Sequence, residues 1–146
     1  MNELRLTDRL TNYWNNVRKD QTIPEFSQFN ASAISDMWQQ CILFVVHPST
    51  EGRTPTLSFY MVGDKLRELY GTDVVGKPFN PAQRHFQGAA VVRKIDEMIA
   101  NPAPIIDNGQ FVGQNNKIVK YRSCLLPFGK GGVVTHVIAG LSWREF

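Results

Sequence analysis

The order of periodicities along this chain constrains its fold more than any other feature. Residues 39–47 (Gln-Gln-Cys-Ile-Leu-Phe-Val-Val-His) are apolar on both alternating faces, the pattern of a strand covered on both sides. His47-Pro48 stops that run, and residues 49–55 read as a polar turn or hairpin loop. Residues 56–62 form a second strand, with Leu57, Phe59 and Met61 on one face. Helical signals follow. Residues 65–70 make a short helix, and Gly71 after it tolerates the positive φ of a helix end. Residues 81–100 read as a long helix whose apolar stripe includes Val91, Ile95 and Met98, stopped by Asn101-Pro102. Three strands close the chain. They span roughly residues 104–114, interrupted by Asp107-Asn108-Gly109, then 117–127 and 133–143. The turns between them are short and rich in residues that accept positive φ, which predicts antiparallel hairpins. Two hairpin groups around a helical insert give one antiparallel sheet with helices packed on one face, an α+β fold.

A further helix precedes the sheet. Leu6, Leu10, Tyr13, Trp14 and Val17 line one face of a 3.6-residue period. Thr7 or Asn2 could cap its start, Arg18 and Lys19 suit the dipole at its end, and Ile23-Pro24 terminates it. Residues 24–38 are a connector. Asn30 is a candidate N-cap within it, while Phe26, Phe29, Ile34 and Trp38 are expected to pin it to the core. The organisation expected is a flanking helix and connector over 1–38 and a single globular unit over 39–146.

These residues resemble a bacterial PAS family first catalogued as a domain of unknown function. Its members begin with a helix carrying a Tyr-Trp pair, here Tyr13-Trp14, and an Ile-Pro connector, here Ile23-Pro24. The family's central run is here Phe59-Tyr60-Met61-Val62-Gly63-Asp64-Lys65-Leu66-Arg67-Glu68-Leu69-Tyr70-Gly71-Thr72-Asp73-Val74-Val75-Gly76-Lys77, and Gly63 to Lys77 is its most specific part. Leu125-Leu126-Pro127-Phe128 and the glycine-rich turn after it match the family's closing hairpin. The resemblance implies a PAS-like (profilin-like) five-stranded antiparallel sheet and a sensing or docking module. With no kinase, cyclase or DNA-binding output expected in this chain, a signal would leave through a partner protein or a change of assembly. Physical chemistry explains the run as well. Gly63 lets the strand turn into a helix. Leu66 and Leu69 bury one side of a helix too short to stand alone, and Asp73 can accept hydrogen bonds from turn backbone.

Charge is uneven. Residues 1–73 hold seven Lys/Arg and nine Asp/Glu, a balance of −2; residues 74–146 hold nine and four, a balance of +5. A basic half could meet an acidic protein or nucleic acid, but no arginine-rich run or recognition motif favours nucleic acid, so a solvated surface is the plainer reading. No stretch of 18 apolar residues predicts a membrane span, and the polar start of the chain has no secretory pattern, so a cytoplasmic location is expected. The two cysteines, Cys41 and Cys124, lie in apolar runs without metal-type spacing and read as small core hydrophobes.

A sheet with helices across one face can enclose a cavity. Its expected lining is Leu57, Phe59, Met61, Leu66, Phe86, Ile95, Val119, Tyr121 and Val137, the setting of a small-molecule ligand or of a filled core. Some PAS domains ligate haem through a histidine on the long helix. His85 lies near its start, His47 ends a strand and His136 lies in the last one; a lone histidine is more often simply hydrogen-bonded, and haem is not expected. A covalent flavin adduct is not expected either, because residues 63–100 contain no cysteine. Catalytic motifs are absent, and Asp36, Asp73 and His136 are the only candidates for a small α+β enzyme with a pocket under the sheet. The stripe Leu6, Leu10, Tyr13, Trp14 and Val17 is the expected homodimer interface, since Trp and Tyr anchor interfaces and the open face of the sheet needs a cover. A sensory or interaction module is therefore the preferred reading over an enzyme or a nucleic-acid-associated protein.

Overall fold

The computed structural model describes residues 5–48, 55–70, 75–78, 97–113 and 116–146. The amphipathic stripe at the start forms α1, Leu6–Arg18. Arg5 precedes it without a side-chain cap. Thr7 lies buried inside the helix and does not cap it, and Asn2 is outside the described residues. Asn30 does cap, accepting a hydrogen bond from Ser32 N at 3.0 Å ahead of a turn of 3₁₀ helix over Ala31–Ile34.

The strands are β1 (Cys41–His47), β2 (Thr56–Val62), β3 (Ile105–Val112), β4 (Ile118–Lys130) and β5 (Val133–Glu145), and α2 (Asp64–Tyr70) follows β2. Residues 97–100 are helical, the end of the expected long helix; residues 81–96 and Gly71 lie outside the described residues. The sheet order is β2-β1-β5-β4-β3, and every neighbouring pair is antiparallel. The last strand thus sits at the centre, between the first strand and β4.

Three expectations are corrected. β3 is not interrupted: Asp107, Asn108 and Gly109 pair in register with Ser123, Arg122 and Tyr121. Tyr121 leans across Gly109, where a side chain would come within 2.8 Å of its hydroxyl, so the glycine serves a strand rather than a turn. β4 does not stop at Pro127 but runs to Lys130. Beyond Leu125 it has no β3 neighbour, so the missing N–H of Pro127 disrupts no ladder there. Met61 does not share a face with Leu57 and Phe59. Tyr60 is an extra residue in β2, a bulge between the pairs Leu43–Met61 and Phe44–Phe59. The slip turns Met61 outward, and Val62 takes the buried place.

The ladders sort side chains onto two faces. Cys41, Leu43, Cys124, Leu126, Ile138 and Gly140 share the first. α1 lies on it, with Leu10 over Gly140 and Trp14 Nε1 donating to Pro127 O at 2.7 Å. The connector completes this layer. Phe26 stacks on His136 with centroids 3.6 Å apart, and Phe29 packs against Phe128 and Trp38. Gly129 N donates to Pro24 O at 3.1 Å and Gly131 N to Glu25 Oε1 at 2.9 Å, tying the connector to the outer side of β4. Gly131 and Gly132 both have positive φ, 58° and 84°, which is the two-residue turn that a right-twisted hairpin favours.

Candidate functional site

The second face carries the described pocket candidates other than Met61, which pairs with Leu43 on the first face, and it carries them in two groups. Phe44 of β1 lies between Phe59 of β2 and Val137 of β5, and its ring centroid is 5.0 Å from that of Phe59. Leu57, opposite Val46, extends this group. Val119 and Tyr121 stand further along β4. Val119 is eight positions before Pro127, the partner of Val137, or roughly 26 Å along the strand. Leu125, Ala139, Ser123 and Leu141 fill the ladder between them. Leu66 of α2 has no accessible surface and joins the same apolar core. Phe86 and Ile95 lie outside the described residues.

Between the two groups the face turns polar. Asp107 of β3 is paired with Ser123 of β4, so both side chains stand on this face. Ser123 is only 7% exposed. Asp107 Oδ2 has essentially no contact with solvent and no hydrogen-bond partner, alone in this among the buried side-chain polar atoms of the described residues. A buried acceptor without a donor is costly, and native structures leave few such atoms unsatisfied. Tyr121 brings its hydroxyl to β3 at Gly109, two positions from Asp107 on the same face. This arrangement suits a molecule that offers a hydrogen-bond donor or a positive charge within an apolar setting. Ser123 could have been placed here by alternation from Tyr121. Asp107 could not, because its neighbours Asn108 and Gly109 read as a turn until the register with β4 is known.

A flanking helix, two strands, a helical insert, three strands and the order β2-β1-β5-β4-β3 are now in view, and the family profile described as PAS domain matches residues 3–141. The chain belongs to the PAS domain family. The match takes in the flanking helix of this PAS domain as well as its sheet. Two solved structures with TM-scores above 0.5 agree on the fold. The light-state structure of the blue-light photoreceptor Aureochrome1 LOV is 12% identical, with a TM-score of 0.51, covering 80% of this chain and 89% of that one. A light-oxygen-voltage domain from work with a flavin analogue is 12% identical, with a TM-score of 0.53 and coverages of 81% and 87%. A PAS domain from Colwellia psychrerythraea is 11% identical, with a TM-score of 0.48 and coverages of 79% and 95%. No curated protein sequence matches.

The other described candidate residues of the PAS domain lie away from the second face. Cys41 and Cys124 flank Gly140 on the first face, beneath α1, and burial pushes both thiols up to about 12. They are inert packing groups at neutral pH. His136 is held by Phe26 and by a 2.8 Å contact between Nδ1 and Thr135 Oγ1, and burial lowers its pKa. Asp36 is exposed and paired with Arg9, whose hydrogen bond lowers its pKa. Asp73 and His85 lie outside the described residues. His47 Nε2 meets Ser58 Oγ at 2.8 Å on the first-face side of β1 and β2. Neither Asp36 nor His136 is brought to Asp107, so neither forms an acid–base pair with it. Among the described residues no group of three metal-type ligands occurs, and no helix is long and apolar enough to cross a membrane.

The α1 stripe is turned onto its own sheet. Leu10 and Trp14 are 0% and 3% exposed within the single chain. Leu6, Tyr13 and Val17 are partly buried at the margins of the same core, and Tyr13 Oη accepts from Asn30 N at 2.9 Å. An antiparallel sheet with one apolar face uncovered requires such a layer, and the chain supplies it from its own first helix.

Proposed function

We propose that this PAS domain is a sensory module that holds a small molecule against the second face of its sheet. Its signal passes on through a partner protein or a change of assembly. The observation that supports ligand binding is Asp107 Oδ2, buried and without a donor beside Ser123 and Tyr121 on an otherwise apolar surface. The ligand reading assigns Leu57, Phe59, Leu66, Val119, Tyr121 and Val137 to apolar contact and Asp107 to orientation. Native mass spectrometry of freshly purified protein tests it. The expected spectrum shows the chain with a retained small molecule, lost in Asp107→Leu. A bare chain from several growth conditions, together with Asp107→Leu more stable than wild type, would mean that the acceptor is merely strained.

Self-association through α1 is the assembly route this reading favours. Leu6, Tyr13 and Val17 keep part of their surface open along the helix. Light scattering across a wide concentration range tests it, and a mass of one chain at every concentration removes it.

A further inference from the structure

Among the described residues, the layer that α1 begins on the first face is incomplete. Beyond Gly140 the ladder continues as open rows. Lys120 stands directly opposite Arg144, and Arg122 lies opposite Ser142. The last row is Val112, Ile118 and Phe146, which are 39%, 40% and 66% exposed. Three cations and a strip of apolar groups thus share one face of the sheet. Like charges directly opposite in an antiparallel ladder repel. Here no carboxylate of the described residues lies within ion-pair distance of Lys120, Arg122 or Arg144; the ion pairs found are Arg9–Asp36 and Lys117–Glu145. Glu145 is opposite Val119 and so belongs to the other face. The Lys120 ammonium rests 4.9 Å from the Phe146 ring instead.

We infer that this surface docks an acidic, amphipathic helix of a partner protein, lying beside α1 in the same layer. Charge complementarity selects the partner, because carboxylates over Lys120, Arg122 and Arg144 relieve the repulsion built into the ladder. Size and shape select a helix. Three strands and the rows from position 108 to 112 of β3 span roughly 10 Å by 13 Å, the footprint of about 9 helical residues. α1 already shows that a helix packs on this face. Apolar side chains of the partner would meet Val112, Ile118 and Phe146 while its acids meet the cations. A second copy of the chain is disfavoured, since a symmetric contact would bring the same cations together. Nucleic acid is disfavoured because three cations neutralise few phosphates and the single aromatic ring is occupied by Lys120. The inference does not depend on a ligand beneath the second face.

The test uses the full chain labelled for NMR and a 14-residue helical peptide with Glu on one face and Leu on the other. Its Lys-for-Glu counterpart and a single-stranded 20-mer DNA serve as comparisons. The expected result is that the Glu peptide shifts amides of residues 106–112, 118–122 and 142–146, with binding weakened roughly tenfold by Arg122→Glu or Phe146→Ala. Lys120→Glu, which places a carboxylate opposite Arg144, is expected to raise the melting temperature while weakening the peptide, so loss of binding is separated from loss of fold. Shifts confined to other parts of the sheet would overturn the proposal. So would equal binding of the Lys peptide, tighter binding of the DNA, or binding indifferent to these variants.

Discussion

Leu10 of α1 occupies the space that a side chain on Gly140 of β5 would need. A Cβ there would overlap Leu10 Cδ1 and stand 3.3 Å from Cys124 Sγ. The glycine at the centre of the sheet is therefore a socket for the flanking helix, walled by Cys41 and Cys124 on the neighbouring strands.

Gly140→Ala is expected to lift α1 from the sheet at a cost of about 1–3 kcal/mol, the range of overpacking in a tight core. Urea denaturation measures the loss. Hydrogen exchange would localise it, with amides of residues 6–18 losing protection before those of β4 and β5. Unchanged protection of α1 would show that the helix does not depend on this socket.

Trp14 is held by packing and by its hydrogen bond to Pro127 O. Trp14→Phe keeps an aromatic ring and removes the donor, for an expected loss of about 1–2 kcal/mol. Trp14→Ala removes both, for about 3–5 kcal/mol. Equal losses in the two variants would mean that the hydrogen bond carries the whole effect.

His136 gives a dependence on pH. Burial lowers its folded-state pKa below the ordinary 6.5, so the unfolded chain binds the proton more readily. Its contribution to stability is present above pH 6.5 and is lost as pH falls through the lowered folded value. His136→Phe retains the stack on Phe26 and is expected to flatten the fall in stability between neutral and mildly acidic pH. The same slope in wild type and variant would assign the effect to another group.

The two thiols are expected to resist alkylation at pH 8 in the folded protein, because burial holds them at about 12. Adding denaturant should expose both together. Mass spectrometry after a brief iodoacetamide pulse counts the modified sites, and modification of Cys124 alone under native conditions would reveal a local opening of α1.

Much of this fold is legible in sequence because local chemistry dictates it. The α1 stripe, the Asn30 cap and the Gly131-Gly132 turn each depend on neighbours within a few residues, and each was expected from them. The unforeseen features depend on a partner strand. Nothing local marks Tyr60 as the extra residue of a bulge; the mismatch exists only against Leu43 and Phe44. Asp107-Asn108-Gly109 reads as a turn until Tyr121 is laid across the glycine. The same limit hid Asp107 as a site residue, since its face is set by pairing with Ser123. That the α1 stripe covers its own sheet was equally undetermined, because an apolar helix face suits its own chain and a second copy alike.

The central position of β5 has a consequence for biosynthesis. On the ribosome, β1 and β2 emerge before β5, and the edge of β1 that meets residues 136–140 must wait until those residues have been made. β4 waits for the same strand over its whole length. Until then the inner edges of β1 and β4 stay unpaired, and a topology of such distant contacts folds slowly.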